Sequence, residues 1–229
     1  MNERSIESRM GMATTISSRW RAESTARYDK RLGHILRIAA RLMARQGYER
    51  TSVRQVASGA KVALSGLYYY ITGKEDLLFL IQFHTFDSLL RTLRGRLPVC
   101  ESPEKALHAV INTHLDHFLR HMDELKVCAR ELETLTGKPY QQVLVLRREY
   151  FAMTLSVVSE LIERNGTRVD PQIATLSLFG ALNWIYQWYN LKRGVPSDRL
   201  ERELTTLFLN ALGSDECKGG GTDRREAPA

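Results

Sequence analysis

Residues 51–78, TSVRQVASGAKVALSGLYYYITGKEDLL, leave few folds open to the chain. Thr51 suits a helix N-cap, and Val53, Val56 and Ala57 supply the inward face of a first short helix. Gly59 ends it, Ala60, Lys61 and Val62 make a turn, and residues 63–70 form a second short helix. Ala57 is small where two helices must cross closely, and Val62 and Leu67 close the angle between them. This spacing predicts a helix-turn-helix, whose second helix enters the major groove of double-stranded DNA.

The polar residues of the stretch fit that use. Arg54 lies on the outward side of the first helix, within reach of a guanine edge or a phosphate. Tyr68, Tyr69 and Tyr70 fan their hydroxyls across the face and end of the second helix. Lys74 opens a further helix, where its ammonium and the neighbouring amides can hold a phosphate, and Glu75 and Asp76 suit that positive end. Phosphates are therefore expected at Thr51, Ser52, Tyr68, Tyr69 and Lys74, and base edges at Arg54, Ser65, Gly66 and Tyr70. Gly66 has no side chain to read with; it permits close approach.

Charge sharpens this reading once it is located. Residues 1–78 hold 14 Lys and Arg against 7 Asp and Glu, whereas the remaining 151 hold 19 of each. The whole formal excess of +7 sits with the helix-turn-helix, as a DNA-binding end requires. The chain has no apolar run of the roughly 18 residues that a membrane span needs and no apolar signal core, so a cytoplasmic protein is expected. Cys100, Cys128 and Cys217 are scattered without paired spacing, which suits inert thiols in a reducing compartment.

In chain order, residues 1–28 are polar and basic, which reads as a disordered arm; Met10 and Met12 leave a later start open. An amphipathic helix over 29–46 and further helices over 74–94, 104–121, 122–135, 140–165, 171–192 and 197–212 follow, punctuated by Gly47, Pro98, Pro103, Gly137, Gly166, Pro171 and Pro196. Residues 214–229 form a Gly-rich charged tail. The expected fold is all-α, with a helix-turn-helix domain over 29–78 and a helical effector-binding and dimerisation domain over 79–213.

The run V-x-x-S-G-L-Y-Y-Y-I-x-G-K-E-D-L-L from Val62, with G-Y-x-x-T-S-V-R-Q-V-A from Gly47, resembles the signature of the TetR family of one-component transcription regulators. The motif covers about residues 30–80, and the helical remainder fits that family's variable ligand domain. Two positions depart from the pattern: Ile71 stands where Phe is usual, and Lys61 where the turn often has Gly. The second departure strains the turn by about 1 kcal/mol if that residue needs a positive φ.

Residues 173–191 are apolar almost all round, apart from a narrow stripe of Gly180, Asn183, Gln187 and Asn190. Such a helix must be buried on more than one side, one of which can face a second subunit. With Leu200, Leu204, Leu207, Phe208 and Ala211 of the last helix, two copies can build a four-helix interface. The resemblance implies the same homodimer on a palindromic operator.

It also implies a small-molecule effector cavity, for which Arg147, Tyr150, Phe151, Trp184, Gln187 and Trp188 are the candidate residues. By itself the aromatic stripe reads as ordinary core. The string from Leu178 to Tyr189 resembles the subset responding to acyl-CoA thioesters, with Arg130, Lys138, Arg147 and Arg148 as cations for the phosphates. His114, His117 and His121 share a helix face at ligand spacing, but no Cys or carboxylate pattern completes a metal site, so they read as core-edge histidines. No catalytic constellation or cofactor fingerprint is present. The reading is a ligand-responsive repressor and not an enzyme; the rival is an all-helical small-molecule-binding protein or enzyme that does not bind DNA.

Overall fold

The computed structural model describes residues 26–189 and 195–213, so the basic arm, apart from its last three residues, and the Gly-rich tail lie outside the described residues. Nine α-helices and a short 3-10 turn account for the regular structure there. Helix α1 (Ala26–Gln46) is followed by α2 (Val53–Gly59) and α3 (Leu64–Tyr68). Then come α4 (Lys74–Arg96), the 3-10 turn Leu97–Val99, α5 (Pro103–Arg120), α6 (Met122–Arg130) and α7 (Gly137–Asn165). Helices α8 (Pro171–Trp188) and α9 (Ser197–Gly213) complete the fold.

Local signals decide most boundaries. Ser102 and Asp170 cap α5 and α8 by accepting the Lys105 and Ile173 amides, each just before a proline in the first turn. Gly166 ends α7 in the left-handed conformation, φ 65°. Gly137 was expected to break the chain and instead opens α7, its φ of 57° setting the entry to the helix. Helix α6 is shorter than the spacing suggested, because the chain turns after Arg130 through Glu131 and Leu132.

Two apolar cores form, and α4 passes through both. Leu32, Ile35, Ala39 and Met43 of α1 meet Val56, Ala57, Leu67 and the Leu77–Ile81 end of α4. Further along α4, Phe86, Leu89, Leu90 and Leu93 belong to the second core, with α5 and the inward faces of α7, α8 and α9. The first core does not close on itself: Val127 of α6, Leu135 of the link after it and Val143 of α7 join it. A displacement of α4 or α6 is therefore felt in both halves.

Candidate nucleic-acid interface and effector region

The helix-turn-helix is held from inside so that its polar residues face out. The cap of α2 is Ser52, one residue after the expected Thr51. Its Oγ accepts the Gln55 amide at 3.2 Å, while the Gln55 side chain accepts the Ser52 amide at 2.8 Å, a reciprocal capping box. Thr51 is buried and its hydroxyl donates to the Gly47 carbonyl at 2.8 Å, so its expected phosphate contact is corrected: it braces the α1–α2 link. Gly59 lets α2 approach α1, since a Cβ there would come within 2.8 Å of Ile38. Lys61 does adopt a positive φ, 55°, so the turn carries the strain expected of a non-glycine residue.

Outside that brace, Ser52, Arg54, Ser58, Lys61 and Ser65 are exposed. Tyr68 and Tyr69 are 51% and 67% exposed, unusually large side chains to leave at the surface. Tyr70 is half-buried and meets Tyr69 edge-on at 5.3 Å. A Cβ on Gly66 would meet nothing within 4 Å, so nothing inside the molecule requires a glycine there. Gly66→Ala should raise stability by about 0.5–1 kcal/mol through helix propensity. If close approach to DNA is what the glycine serves, the same variant binds operator more weakly; denaturant titration and a gel shift on one preparation check both signs.

Lys74 is more occupied than its sequence position suggests. Its ammonium donates to the Tyr48 and Glu49 carbonyls at 3.1 and 3.2 Å and lies 4.0 Å over the Tyr48 ring, with the Glu49 carboxylate 3.8 Å away. It pins the link before α2 to the start of α4. Tyr48, which the sequence marks only as part of the motif from Gly47, also donates its amide to Glu131 after α6, at 3.4 Å. Gln82 of α4 donates to the Glu131 carbonyl at 3.2 Å, and the Thr136 amide and hydroxyl reach Glu75 at 3.4 Å. Between α1 and α6 lies a cleft of about 200 Å³ whose charged lining is Arg45, Arg50, Lys126 and Arg130 with the one carboxylate of Glu131.

The effector candidates separate into two groups. Tyr150 is buried and Phe151 half-buried, in a box of rings with Phe86, Phe118 and Phe179. Arg147 points inward, donating to the Cys128 carbonyl at 3.0 Å and lying 4.8 Å over Phe86. Trp184, Gln187 and Trp188 are exposed on the far side of α8, so they line no interior pocket with Tyr150. The inward face is Ala174, Leu178, Leu182 and Ile185; an almost wholly apolar helix hides which side is which.

The histidines separate as well. His114 lies in the ring box, whereas His117 and His121 line a groove of about 270 Å³ with Asp116 and Arg120. Glu124 holds the His121 imidazolium, raising that group's pKa, while burial lowers that of His117 to about 4. Among the described residues no group of three or more His, Cys, Asp or Glu side chains could hold a metal ion. Burial also drives the Cys128 thiol up to about 12, which leaves it inert.

On the outward side of α8, Ile173, Leu176, Trp184 and Trp188 form an exposed apolar stripe around Gly180. On α9, Leu207 and Ala211 are exposed, Leu204 and Phe208 half-buried, and Leu200 belongs to the chain's own core, which removes it from an interface.

Two family models match the chain: "Bacterial regulatory proteins, tetR family" over residues 35–81, and "Tetracyclin repressor-like, C-terminal domain" over residues 100–212. The chain belongs to the TetR family. The transcriptional repressor KstR2 of Mycobacterium tuberculosis H37Rv is 22% identical over 187 residues, 80% of this chain and 94% of that protein. A TetR-family regulator from Bordetella parapertussis superposes with a TM-score of 0.72 at 27% identity, covering 78% of this chain and 94% of the other. AibR, solved with isovaleryl coenzyme A and operator DNA, gives 0.68 at 26% identity, covering 80% and 98%. As a TetR-family member the protein is a DNA-binding transcriptional regulator and not an enzyme. No helix among the described residues is long and apolar enough to cross a membrane.

Proposed function

We propose that the protein is a cytoplasmic homodimeric repressor that binds a palindromic operator and is released by a small-molecule effector, an acyl-CoA thioester. The observation that carries the first half is the outward display of Arg54, Ser65, Tyr68 and Tyr69 on a helix-turn-helix braced from behind. Ser52, Tyr68, Tyr69 and the amides at the start of α4 hold phosphates; Arg54, Ser65 and Tyr70 approach base edges across Gly66. Lys74 adds charge there while keeping α2 and α4 in register. Arg54→Ala should cost about 1–3 kcal/mol and relax discrimination at one base position, read by gel shifts on single-base operator variants. Full discrimination by that variant removes Arg54 from base reading.

Dimerisation uses the outward faces of α8 and α9, with Trp184, Gln187 and Trp188 at the contact together with Leu207 and Ala211. The acyl-CoA reading is supported by AibR, whose solved complex holds isovaleryl coenzyme A. It is supported too by a local arrangement of this chain: an aromatic interior around Tyr150 for the acyl part, and the cationic cleft with Arg130 for phosphates. Arg130 joins the two regions, lying 5.3 Å over Tyr186 of α8. Signal passes through α6: Arg147 holds Cys128 near its end, and Glu131 just beyond holds Tyr48 and Gln82. A ligand that prefers one setting of α6 shifts the spacing of the two readers. Calorimetry with a panel of acyl-CoAs tests the effector, and absence of any binding removes it.

A further inference from the structure

The second core contains a polar pair that its packing does not explain. His114, 2% exposed, has its Nδ1 3.5 Å from the Tyr150 hydroxyl, and Tyr150 is equally buried. Around them stand Phe118 at 4.7 Å and Phe179 at 6.0 Å from the His114 ring, and Phe86 and Phe179 at 6.3 and 5.5 Å from the Tyr150 ring. The other imidazole nitrogen, Nε2, is buried with no hydrogen-bonding partner among the described residues. Leaving a buried donor unmatched costs about 1–3 kcal/mol, and a leucine in its place would cost nothing of that kind. By spacing alone His114 reads as one of three core-edge histidines on a helix face, whereas the fold sets it in the ring box and leaves His117 and His121 at a groove.

We propose that His114 Nε2 is the polar anchor of the effector site, donating a hydrogen bond to a neutral carbonyl-type oxygen on an otherwise apolar ligand. This rests on the reading that the C-terminal half takes a small-molecule effector, and it specifies which oxygen chemistry that site accepts. The phenol is the better acid and the imidazole the better base, so Tyr150 donates to Nδ1 and leaves the proton of the neutral ring on Nε2. Burial keeps the imidazole neutral down to about pH 3 and holds the phenol protonated, so the pair itself offers no charge; the nearby Arg147, over the Phe86 ring, is engaged by the Cys128 carbonyl. A ketone or thioester carbonyl matches a neutral donor in such surroundings; a carboxylate at Nε2 would lose its hydration for a neutral donor, since the nearby guanidinium of Arg147 is held by the Cys128 carbonyl. Phe179 packs against His114, Tyr150 and Phe151, and it and Phe151 are half-buried, so this edge of the ring box is the one nearest solvent.

The test uses the full chain labelled with ¹⁵N-histidine and a matched set of probes: cyclohexanone, cyclohexanecarboxylate and methylcyclohexane. Cyclohexanone should move the His114 Nε2 resonance in a saturable way, and the carboxylate should bind at least about tenfold more weakly. His114→Phe should weaken cyclohexanone by about tenfold, and His114→Gln, whose amide can stand in for Nε2–H, should recover part of the loss. The anchor is overturned if cyclohexanone leaves His114 unmoved, if the carboxylate binds as well, or if His114→Phe binds the ketone as tightly as the wild type. A gel shift of the wild-type protein on operator DNA is scored separately. Retained operator binding beside a silent His114 removes the anchor alone, whereas lost operator binding removes the regulator reading.

Discussion

Trp184→Arg should give a folded monomer whose operator affinity is lower by about two to four orders of magnitude. The side chain is 57% exposed in the isolated subunit, so replacing it leaves no cavity and costs the subunit fold little. In the proposed dimer the stripe Ile173, Leu176, Trp184 and Trp188 is buried twice by symmetry, and an arginine at its middle brings two unpaired cations together. A tryptophan buries about 150–250 Å², worth several kcal/mol at about 25 cal/mol per Å². Losing two such anchors is enough to separate the subunits at micromolar concentration. A single reader then grips one half-site without the second, and the gain from linkage disappears. Sedimentation equilibrium and a gel shift on the same sample check this; a dimer that survives Trp184→Arg moves the interface elsewhere.

Leu67→Ala should destabilise the helix-turn-helix by about 2–5 kcal/mol. Helix α3 has only five residues, far too few to hold itself together in water, so packing must do so. Leu67 is its one fully buried residue, 0% exposed in the first core, with its amide bonded to the Ala63 carbonyl at 3.0 Å. Removing it leaves Ser65, Gly66 and Tyr68 without a fixed direction, and operator binding falls with the helix. The second core loses no contact of its own. Hydrogen exchange should therefore show residues 52–71 opening while the amides of α5 and α7 stay protected. Uniform loss of protection along the chain would mean that the two cores unfold as one.

The reader unit could be seen in the sequence because each of its parts has a local cause. Gly47 and Gly59 stop helices, Ala57 and Leu67 fix a close crossing, and Lys61 departs from the usual glycine at the position that takes φ 55°. What stayed hidden depends on reach or on facing. Two adjacent hydroxyl residues both suit a cap, and only the position of Gln55 three residues later favours Ser52 over Thr51. Lys74 has a long stem, and its ammonium finds carbonyls 25 and 26 residues earlier in the chain. For α8, apolar residues on nearly every side make its inward and outward faces indistinguishable by period, so the sequence alone does not show that Trp184 and Trp188 face out. His114 could be recognised as a polar residue on an apolar helix, but its pairing with Tyr150 is a tertiary contact across 36 residues.

Footprinting on the intergenic DNA beside the protein's own coding region, repeated at several salt concentrations, goes most directly to the role of the helix-turn-helix. The expected result is a protected palindrome with half-sites about one helical turn apart or somewhat more, and affinity falling steeply as salt rises. Binding that ignores salt, or a footprint unchanged when Tyr68 and Tyr69 are both replaced by alanine, would contradict it.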